Sequence, residues 1–427
     1  MTEYAWDHLI QEGRVHRSLY TDEGVFALEM TRVFGHVWTY LGHETEIPNP
    51  NDFKLTKLGL RPVILTRDAK GELHALFNRC MHRGVTICAE HAGNAKRFVC
   101  PYHGWAYGNT GKLIGVPHSE GYGEAFEMGA FDLKRVPRVA SYRGFVFGTL
   151  SETMPSIEDH LGGARAALDA FIDRAPVGQL IVRAGAYRGA FNGNWKLVWD
   201  NAADGYHVQF AHKSLVDMTN KRYAQGRGAD YMASPDNSPI YAEVFERGHT
   251  FLHHRPGMGP SLWERARPTP GGEAYAAQLA DRRGDAEARA ALEGAPGFGM
   301  NLNIFPNLLI IANQIQVVEP LAVNRTQLTW YATHLAGAEP EVNVLRMRIA
   351  EDFPNFGEVD DMEMFERCQE GLAVPEAEWV DCSRGLYAAN GADDAARKVR
   401  PTDEATMRNY FRAYKMLMQS GGAYACS

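Results

Sequence analysis

The chain has 427 residues, too many for one compact domain, and its composition, 45% hydrophobic, 22% charged and 11% aromatic, is that of a folded protein with sizeable cores. A net charge of −8, with basic residues dispersed among acids, excludes broad binding to nucleic acid or to anionic membranes. Met1 to Trp6 begins no signal peptide, and the most apolar stretch, Ile304 to Val318, is too short and too often interrupted by Asn and Gln to cross a bilayer, so a cytoplasmic location is expected.

From the N-terminus, Tyr20 to Phe34 carries the period of an amphipathic helix. From about Phe34 to about Ser151, short β-rich runs ("RPVILTR", "LHALFN", "KRFVCPYHGWAY", "GFVFGTL") alternate with turns, which predicts a small antiparallel domain. Two of its loops hold chemistry: Cys80 and His82 as C-x-H, then, after a gap of 17 residues, Cys100 and His103 as C-x-x-H. Zinc fingers group their thiolates on one loop, whereas one thiol and one imidazole per loop suits a two-iron cluster with both Cys on one iron and both His on the other. A structural zinc and a plain buried pair are the competing readings. Cys88, Cys368, Cys382 and Cys426 show no framework spacing and read as reduced thiols.

Beyond Ser151 the pattern changes. Ser156 to Ala175 reads as a helix, Leu180 to Asp200 alternates like strand, and a helix-like run begins at Asn201. A polar insertion follows. Gly257 to Gly297 is expected to hold a helix with mobile flanks, covering an entrance or forming a plain surface insertion. Strands Ile304 to Val318 and Thr326 to Thr333 and a helix Val342 to Leu372 complete an α+β domain. Within it, Asp204, His207 and His212 are spaced D-x2-H-x4-H, and two imidazoles with a carboxylate form the facial set of non-haem iron. Five residues on a regular helix turn about 500°, which leaves the two His about 140° apart. The helix must therefore be distorted, or end between them, for both to reach one ion.

"CMHRG…CPYHGW" together with the downstream acid and His pair resembles the signatures of Rieske-type aromatic ring-hydroxylating oxygenases, in particular their large, catalytic α-subunit, and the likeness covers nearly the whole chain. Val85 and Tyr102 stand where respiratory Rieske proteins carry a further pair of Cys, so no disulfide is expected there. The resemblance implies an α+β protein in two parts. Residues 36–152 would be an antiparallel β Rieske [2Fe–2S] domain holding its cluster through Cys80, His82, Cys100 and His103. Residues 1–35 and 153–427 would be a catalytic domain with an antiparallel sheet and helices around a mononuclear Fe(II), bound by His207, His212 and a distant acid. That acid matches Asp361, with Asp360 as the alternative. Asp204 corresponds to the family's link to a neighbouring subunit's cluster histidine, and its charge would otherwise lie unpaired. Asn201 corresponds to a position beside the iron, or is a helix-start cap.

The implied activity is that of a terminal oxygenase, most simply cis-dihydroxylation of an aromatic ring, and the look of "DGYHV" and "DDMEMFERCQEG" favours an aromatic carboxylate. A Rieske-type monooxygenase or demethylase is the alternative on the same scaffold. A plain Rieske electron-transfer protein would leave everything after residue 152 idle. No G-x-G-x-x-G follows a strand, so electrons from NAD(P)H would arrive through a separate reductase or ferredoxin. A head-to-tail ring of three chains, with or without a small β-subunit (a homotrimer or α3β3), is expected. The sequence names no Arg or His to anchor a substrate's carboxylate.

Overall fold

The computed structural model describes residues 4–182, 185–214, 216–217, 239–254, 268–293, 300–387 and 398–421. They divide into two units, Phe34–Ile157 and the combination of Met1–Val33 with Glu158–Ser427.

The first unit is antiparallel throughout. Leu73–Phe77, Arg61–Arg67, Asp52–Leu58 and Ala92–Asn94 form one sheet in that order. Arg138–Tyr142, Phe145–Thr149 and Thr39–His43 form a second, and Leu113–Gly115, Ala106–Gly108 and Arg97–Val99 a third. Phe53, Ile64, Leu76, Ile87, Phe98, Trp105 and Tyr107 pack into one core with Cys80 and Cys100. The two Cys loops are thus buried at their roots by strands on either side.

The second unit is built on an eight-stranded antiparallel sheet. Its order is Ala186–Phe191, Arg325–Ala332, Gln314–Ala322, Leu308–Ile311, Met300–Ile304, Thr250–His253, Tyr241–Val244 and Lys398–Val399. The run from Ile304 to Val318, expected as one strand, belongs to three, turned at Pro306-Asn307 and Ala312-Asn313. The strand period of two divides these residues between two faces. Leu302, Ile304, Ile310 and Ile315 lie buried on one. On the other, Leu252 stands opposite Asn301, Asn301 opposite Ile311, and Leu309 opposite both Asn303 and Gln316. The Asn and Gln that interrupt the apolar run are the polar members of this second face.

Trp195 to Asp200 is not strand, as the alternation suggested, but enters the helix Lys196–Asn201. Lys196, Leu197, Val198 and Trp199 are buried in succession, and continuous burial erases the periodicity that separates a helix from a strand. Lys196 is sealed from solvent and its Nζ lies 2.5 Å from Glu29 Oε1. Glu29 also accepts from Trp195 Nε1 at 2.7 Å and from the Tyr414 hydroxyl at 2.6 Å. One carboxylate therefore ties three helices together: Glu23–Arg32, Lys196–Asn201 and Ala405–Gln419. The last was missed in the sequence, although Met407, Tyr410, Phe411, Tyr414, Leu417 and Met418 follow a helical stripe and are all buried. The expected single helix from Val342 to Leu372 is two, Pro340–Phe356 and Glu358–Leu372, parted at Gly357 shortly after Pro354. Both residues weaken a helix interior, Pro by its missing N–H and Gly by its entropy. Gly257 to Gly297 holds two helices rather than one, Gly272–Arg283 and Asp285–Glu293, while the flanks expected to be mobile lie outside the described residues. No helix among the described residues is long and apolar enough to cross a membrane.

Replacing Lys196 by Met should leave Glu29 buried without its cation and cost about 3–5 kcal/mol of stability. The double variant Glu29→Gln/Lys196→Met should recover most of that loss, as read from denaturant unfolding followed by tryptophan fluorescence.

Candidate metal centres

The two Cys/His loops share one backbone device. The Cys80 N–H bonds the Val85 carbonyl at 2.7 Å while the Gly84 N–H returns to the Cys80 carbonyl at 3.0 Å. The Cys100 N–H bonds the Trp105 carbonyl at 2.8 Å, and the Gly104 N–H returns to the Cys100 carbonyl at 3.0 Å. Each turn closes on a glycine in the left-handed region, Gly84 at φ +82° and Gly104 at φ +71°. Cys80 and Cys100 are 1% and 2% exposed. The Nδ1 atoms of His82 and His103 are shielded from solvent and have no hydrogen-bond partner, and their rings lie 4.6 Å apart. Trp105 stacks on His82 at 5.0 Å and holds its plane. The Tyr107 hydroxyl accepts the Met81 N–H at 3.0 Å, which leaves its hydrogen to donate to Cys80 Sγ at 3.3 Å. Two buried thiols and two imidazole nitrogens with nothing to bind are the donor set a Rieske [2Fe–2S] cluster takes, and the residues present fit it. No disulfide competes, since both thiols are free.

In the second unit the helix Lys196–Asn201 ends, the chain turns, and a single helical turn, Val208–Ala211, follows. His207 stands at its start and His212 closes it at φ −97°, ψ 25°. The two imidazoles thus sit at opposite ends of a one-turn helix rather than on one regular helix, with ring centroids 5.2 Å apart. Asp361, from the first turn of Glu358–Leu372, brings Oδ1 to 3.5 Å from His207 Nε2 and 3.2 Å from His212 Nε2. One ligand atom from each of the three lies within 4.8 Å of the others.

The Nδ1 atoms are held from behind. Asp204 Oδ2 is 3.0 Å from His207 Nδ1, and Asp360 Oδ2 is 3.3 Å from His212 Nδ1. A carboxylate can only accept, so both Nδ1 atoms carry a hydrogen and both Nε2 atoms aim inward, that of His212 with a second hydrogen toward Asp361 Oδ1. Asp204 is therefore not the unpaired charge expected from sequence, for it also accepts the backbone N–H groups of Tyr206 and His207. Asn201 is the last residue of its helix rather than a cap at its start, and its amide donates to Asp361 Oδ1 at 3.1 Å. Burial works against the charge on Asp361, but the hydrogen bond to His212 and the proximity of His207 hold its carboxyl below the usual range. Burial alone would depress His212, whereas Asp361 and Asp360 lift it to about 9. Two imidazoles and a carboxylate that share a proton in this way fit a non-haem Fe(II), which would take that proton's place.

The three residues face a pocket whose walls include Val198, Leu252, Leu309, Ile311 and Phe365. Glu358, one turn before Asp361, lines it too and is fully buried. Burial, with the Asp361 charge beside it, pushes its carboxyl up to about 8, and Gln316 Nε2 donates to its Oε1 at 2.7 Å. Sequence reasoning missed Glu358 and Gln316, because an acid in a helix's first turn reads as a solvated partner of the helix dipole. It also missed Asn303, whose amide donates to the Ala202 carbonyl at 3.1 Å and pins the chain where it turns between the helices.

Residues 37–142 match the family model of the Rieske [2Fe–2S] domain, and residues 172–420 that of the ring hydroxylating alpha subunit (catalytic domain). The chain is 37% identical over 399 residues to the 2-halobenzoate 1,2-dioxygenase large subunit of Burkholderia cepacia, covering 90% of this chain and 83% of that one. It is 36% identical over 418 residues to the toluate 1,2-dioxygenase subunit alpha of Pseudomonas putida, covering 92% and 87%. Its fold is similar to that of naphthalene 1,2-dioxygenase from Rhodococcus sp. bound to indole, with a TM-score of 0.79 at 26% identity over 95% of this chain and 94% of that one.

A Cβ on Gly104 would stand 3.0 Å from Pro117 Cγ, whereas one on Gly84 would meet only the Arg79 side chain at 3.4 Å. Gly84→Ala should cost about 1–2 kcal/mol for its backbone alone. Gly104→Ala should cost more, and melting curves of the two variants check the order.

Proposed function

The chain belongs to the ring-hydroxylating oxygenases with a Rieske [2Fe–2S] domain, as an alpha, catalytic subunit, and we propose that it dihydroxylates the ring of an aromatic carboxylate. The observation that carries the oxygenase chemistry is the convergence of His207, His212 and Asp361 within 4.8 Å on one side of an apolar-walled pocket. The substrate class is supported by the relatives, which are named for 2-halobenzoate and toluate, both ring carboxylates.

In this reading Cys80 and Cys100 hold one cluster iron and His82 and His103 the other, while His207, His212 and Asp361 hold the mononuclear iron. When bound, the cluster would supply single-electron transfer and the iron would supply dioxygen activation. Asp204 and Asp360 fix the tautomer and direction of the two imidazoles, and Asn201 holds the Asp361 carboxylate in place. The walls of Leu252, Leu309, Ile311 and Phe365 take the ring and exclude water. Glu358 stands at the pocket wall under the Gln316 amide, where burial favours its protonated form. Electrons come from a separate reductase or ferredoxin in the cytoplasm. Asp204, a quarter exposed on its side chain, keeps one lone pair, on Oδ1, to accept the N–H of a cluster histidine from a neighbouring chain. That contact closes three chains into a ring, with or without a small β-subunit.

Turnover of benzoate under labelled dioxygen should place both oxygen atoms in one product diol; a single labelled atom would assign the chain to the monooxygenases instead. Cys100→Ser chains mixed and exchanged with His207→Ala chains should regain part of the activity each lacks alone. Mixed rings that form and stay inactive would rule out transfer between chains.

A further inference from the structure

Arg174 lies in the turn after the helix Arg165–Ile172 and is 1% exposed. A guanidinium has five N–H donors and needs acceptors for them. Here Nη2 lies 2.7 Å from Met300 Sδ, a weak acceptor. Nη1 reaches the Ala312 carbonyl only at 3.4 Å, and Nε has no partner. The Tyr275 hydroxyl bonds the Arg174 backbone carbonyl at 2.6 Å and not the guanidinium. The neighbouring acid, Asp173, turns to Arg283 at 3.0 Å. Among the described residues no carboxylate offsets the Arg174 charge.

A second buried guanidinium sharpens the contrast. Arg346 has Asn313 Oδ1 at 2.8 Å, Thr333 Oγ1 at 2.9 Å and the Thr333 carbonyl at 3.2 Å, so its donors are satisfied by neutral acceptors. Burial, and then the repulsion of Arg346, push the pKa of Arg174 well below its usual value; burial brings Arg346 to about 10. A buried cation that meets an aromatic face, a thioether and one long carbonyl contact but no anion is costly unless something anionic arrives.

The place where an anion could arrive is already described. The guanidinium lies over the Phe171 ring at 5.0 Å on one side, while Met300 and Ala312, which its Nη atoms reach, line the same pocket as His207, His212 and Asp361. Among the described residues that pocket's lining holds no Lys or Arg, while its walls are otherwise suited to an apolar ring. Met is unbranched and moves easily between rotamers. Displacing its thioether would uncover Nη2 next to the unpartnered Nε, the side-by-side pair that a carboxylate engages with both oxygens.

We propose that Arg174 is the carboxylate receptor of this pocket, that Met300 is the movable side chain covering it, and that the ligand it selects is an aromatic acid. The inference rests on the aromatic-carboxylate reading above and assigns its recognition to one residue. An incoming acid lays its ring against Leu309 and Ile311 and exchanges its hydration for the guanidinium fork. An uncharged analogue finds the same walls but leaves Arg174 unpaired, so discrimination comes from the cation and not from pocket shape.

The test uses the cluster- and iron-loaded enzyme with benzoate and its neutral isostere benzamide, reading equilibrium binding by calorimetry together with kcat and KM. Arg174→Met should weaken benzoate binding about 100-fold, mostly in Kd and KM, with benzamide changed less than about threefold. Arg174→Lys should restore part of the loss. The ligand-free melting temperature of Arg174→Met should stay level or rise, because an unpaired buried charge has been removed, whereas a purely structural arginine would lower it. Parallel loss of both ligands, or intact benzoate selectivity in Arg174→Met, overturns the proposal while leaving the aromatic-acid reading standing. A wild-type enzyme that binds benzamide and refuses benzoate overturns both. Should Arg174→Met not fold, Met300→Leu carries the test: it removes the competing thioether at nearly constant volume. A lower benzoate KM in that variant supports the proposal, and an unchanged or higher one counts against it.

Discussion

A carboxylate cannot be carried into a protein interior unless donors are waiting for it, and Asp361 is such a carboxylate. Its Oδ1 meets the amide of Asn201, 160 residues away in sequence, and lies beside the Nε2 atoms of His207 and His212. Each of these donors imposes a condition on the chain that carries it. The helix from Lys196 must stop at Asn201 so that the backbone can turn and start again at His207. The turn must be held, and Asn303 holds it from the sheet. The acid's own helix must enter at one rotation, and Gln316 fixes that rotation through Glu358.

Those anchors explain why the sheet is polar where it faces the site. Asn303 and Gln316 are both buried, and each donates one bond toward the site, to the Ala202 carbonyl and to Glu358. A buried amide is tolerated when its hydrogen bonds are made, and a made bond in a low-dielectric interior is directional and strong. The same logic operates around Glu29, where Trp195, Lys196 and Tyr414 share one carboxylate. Such networks trade stability for a single arrangement of the helices that carry the site. Lys196–Asn201 takes part in both, since Asn201 ends it beside Asp361 while Lys196 begins it beside Glu29.

The sequence discloses these features unevenly, and the reasons are physical. The cluster loops were readable because Cys80 with His82, and Cys100 with His103, are close along the chain, each followed by a glycine that turns it back. The imidazole pair was visible for the same reason, and so was the need for a helix to end near it. The acid was not readable from the residues themselves. Asp360 and Asp361 are adjacent, and on a helix adjacent residues point about 100° apart, so the choice of the inward one depends on a rotation set by distant contacts. In the event both carboxylates meet the imidazoles, one between them and one behind His212. Trp195 to Asp200 was misjudged because burial on all sides leaves no period to read, and Ile304 to Val318 because its turns at Pro306-Asn307 and Ala312-Asn313 are as buried as its strands. Arg174 carried no motif at all; only its surroundings make it unusual.

The unit that binds the cluster interrupts the sequence of the unit that binds the iron, since residues before Phe34 belong with those after Ile157. A ribosome therefore releases Glu29 long before the partners it requires. Lys196 follows 167 residues later and Tyr414 follows 385 residues later. At roughly 5–20 residues per second that second interval is about 20–80 s. Until then the buried network around Glu29 is incomplete, whereas the intervening unit has every strand of its three sheets already in hand. The order of synthesis thus delivers a finished cluster-binding unit before the iron-binding one is complete, and the helix Ala405–Gln419, synthesised after both Glu29 and Lys196, closes the network.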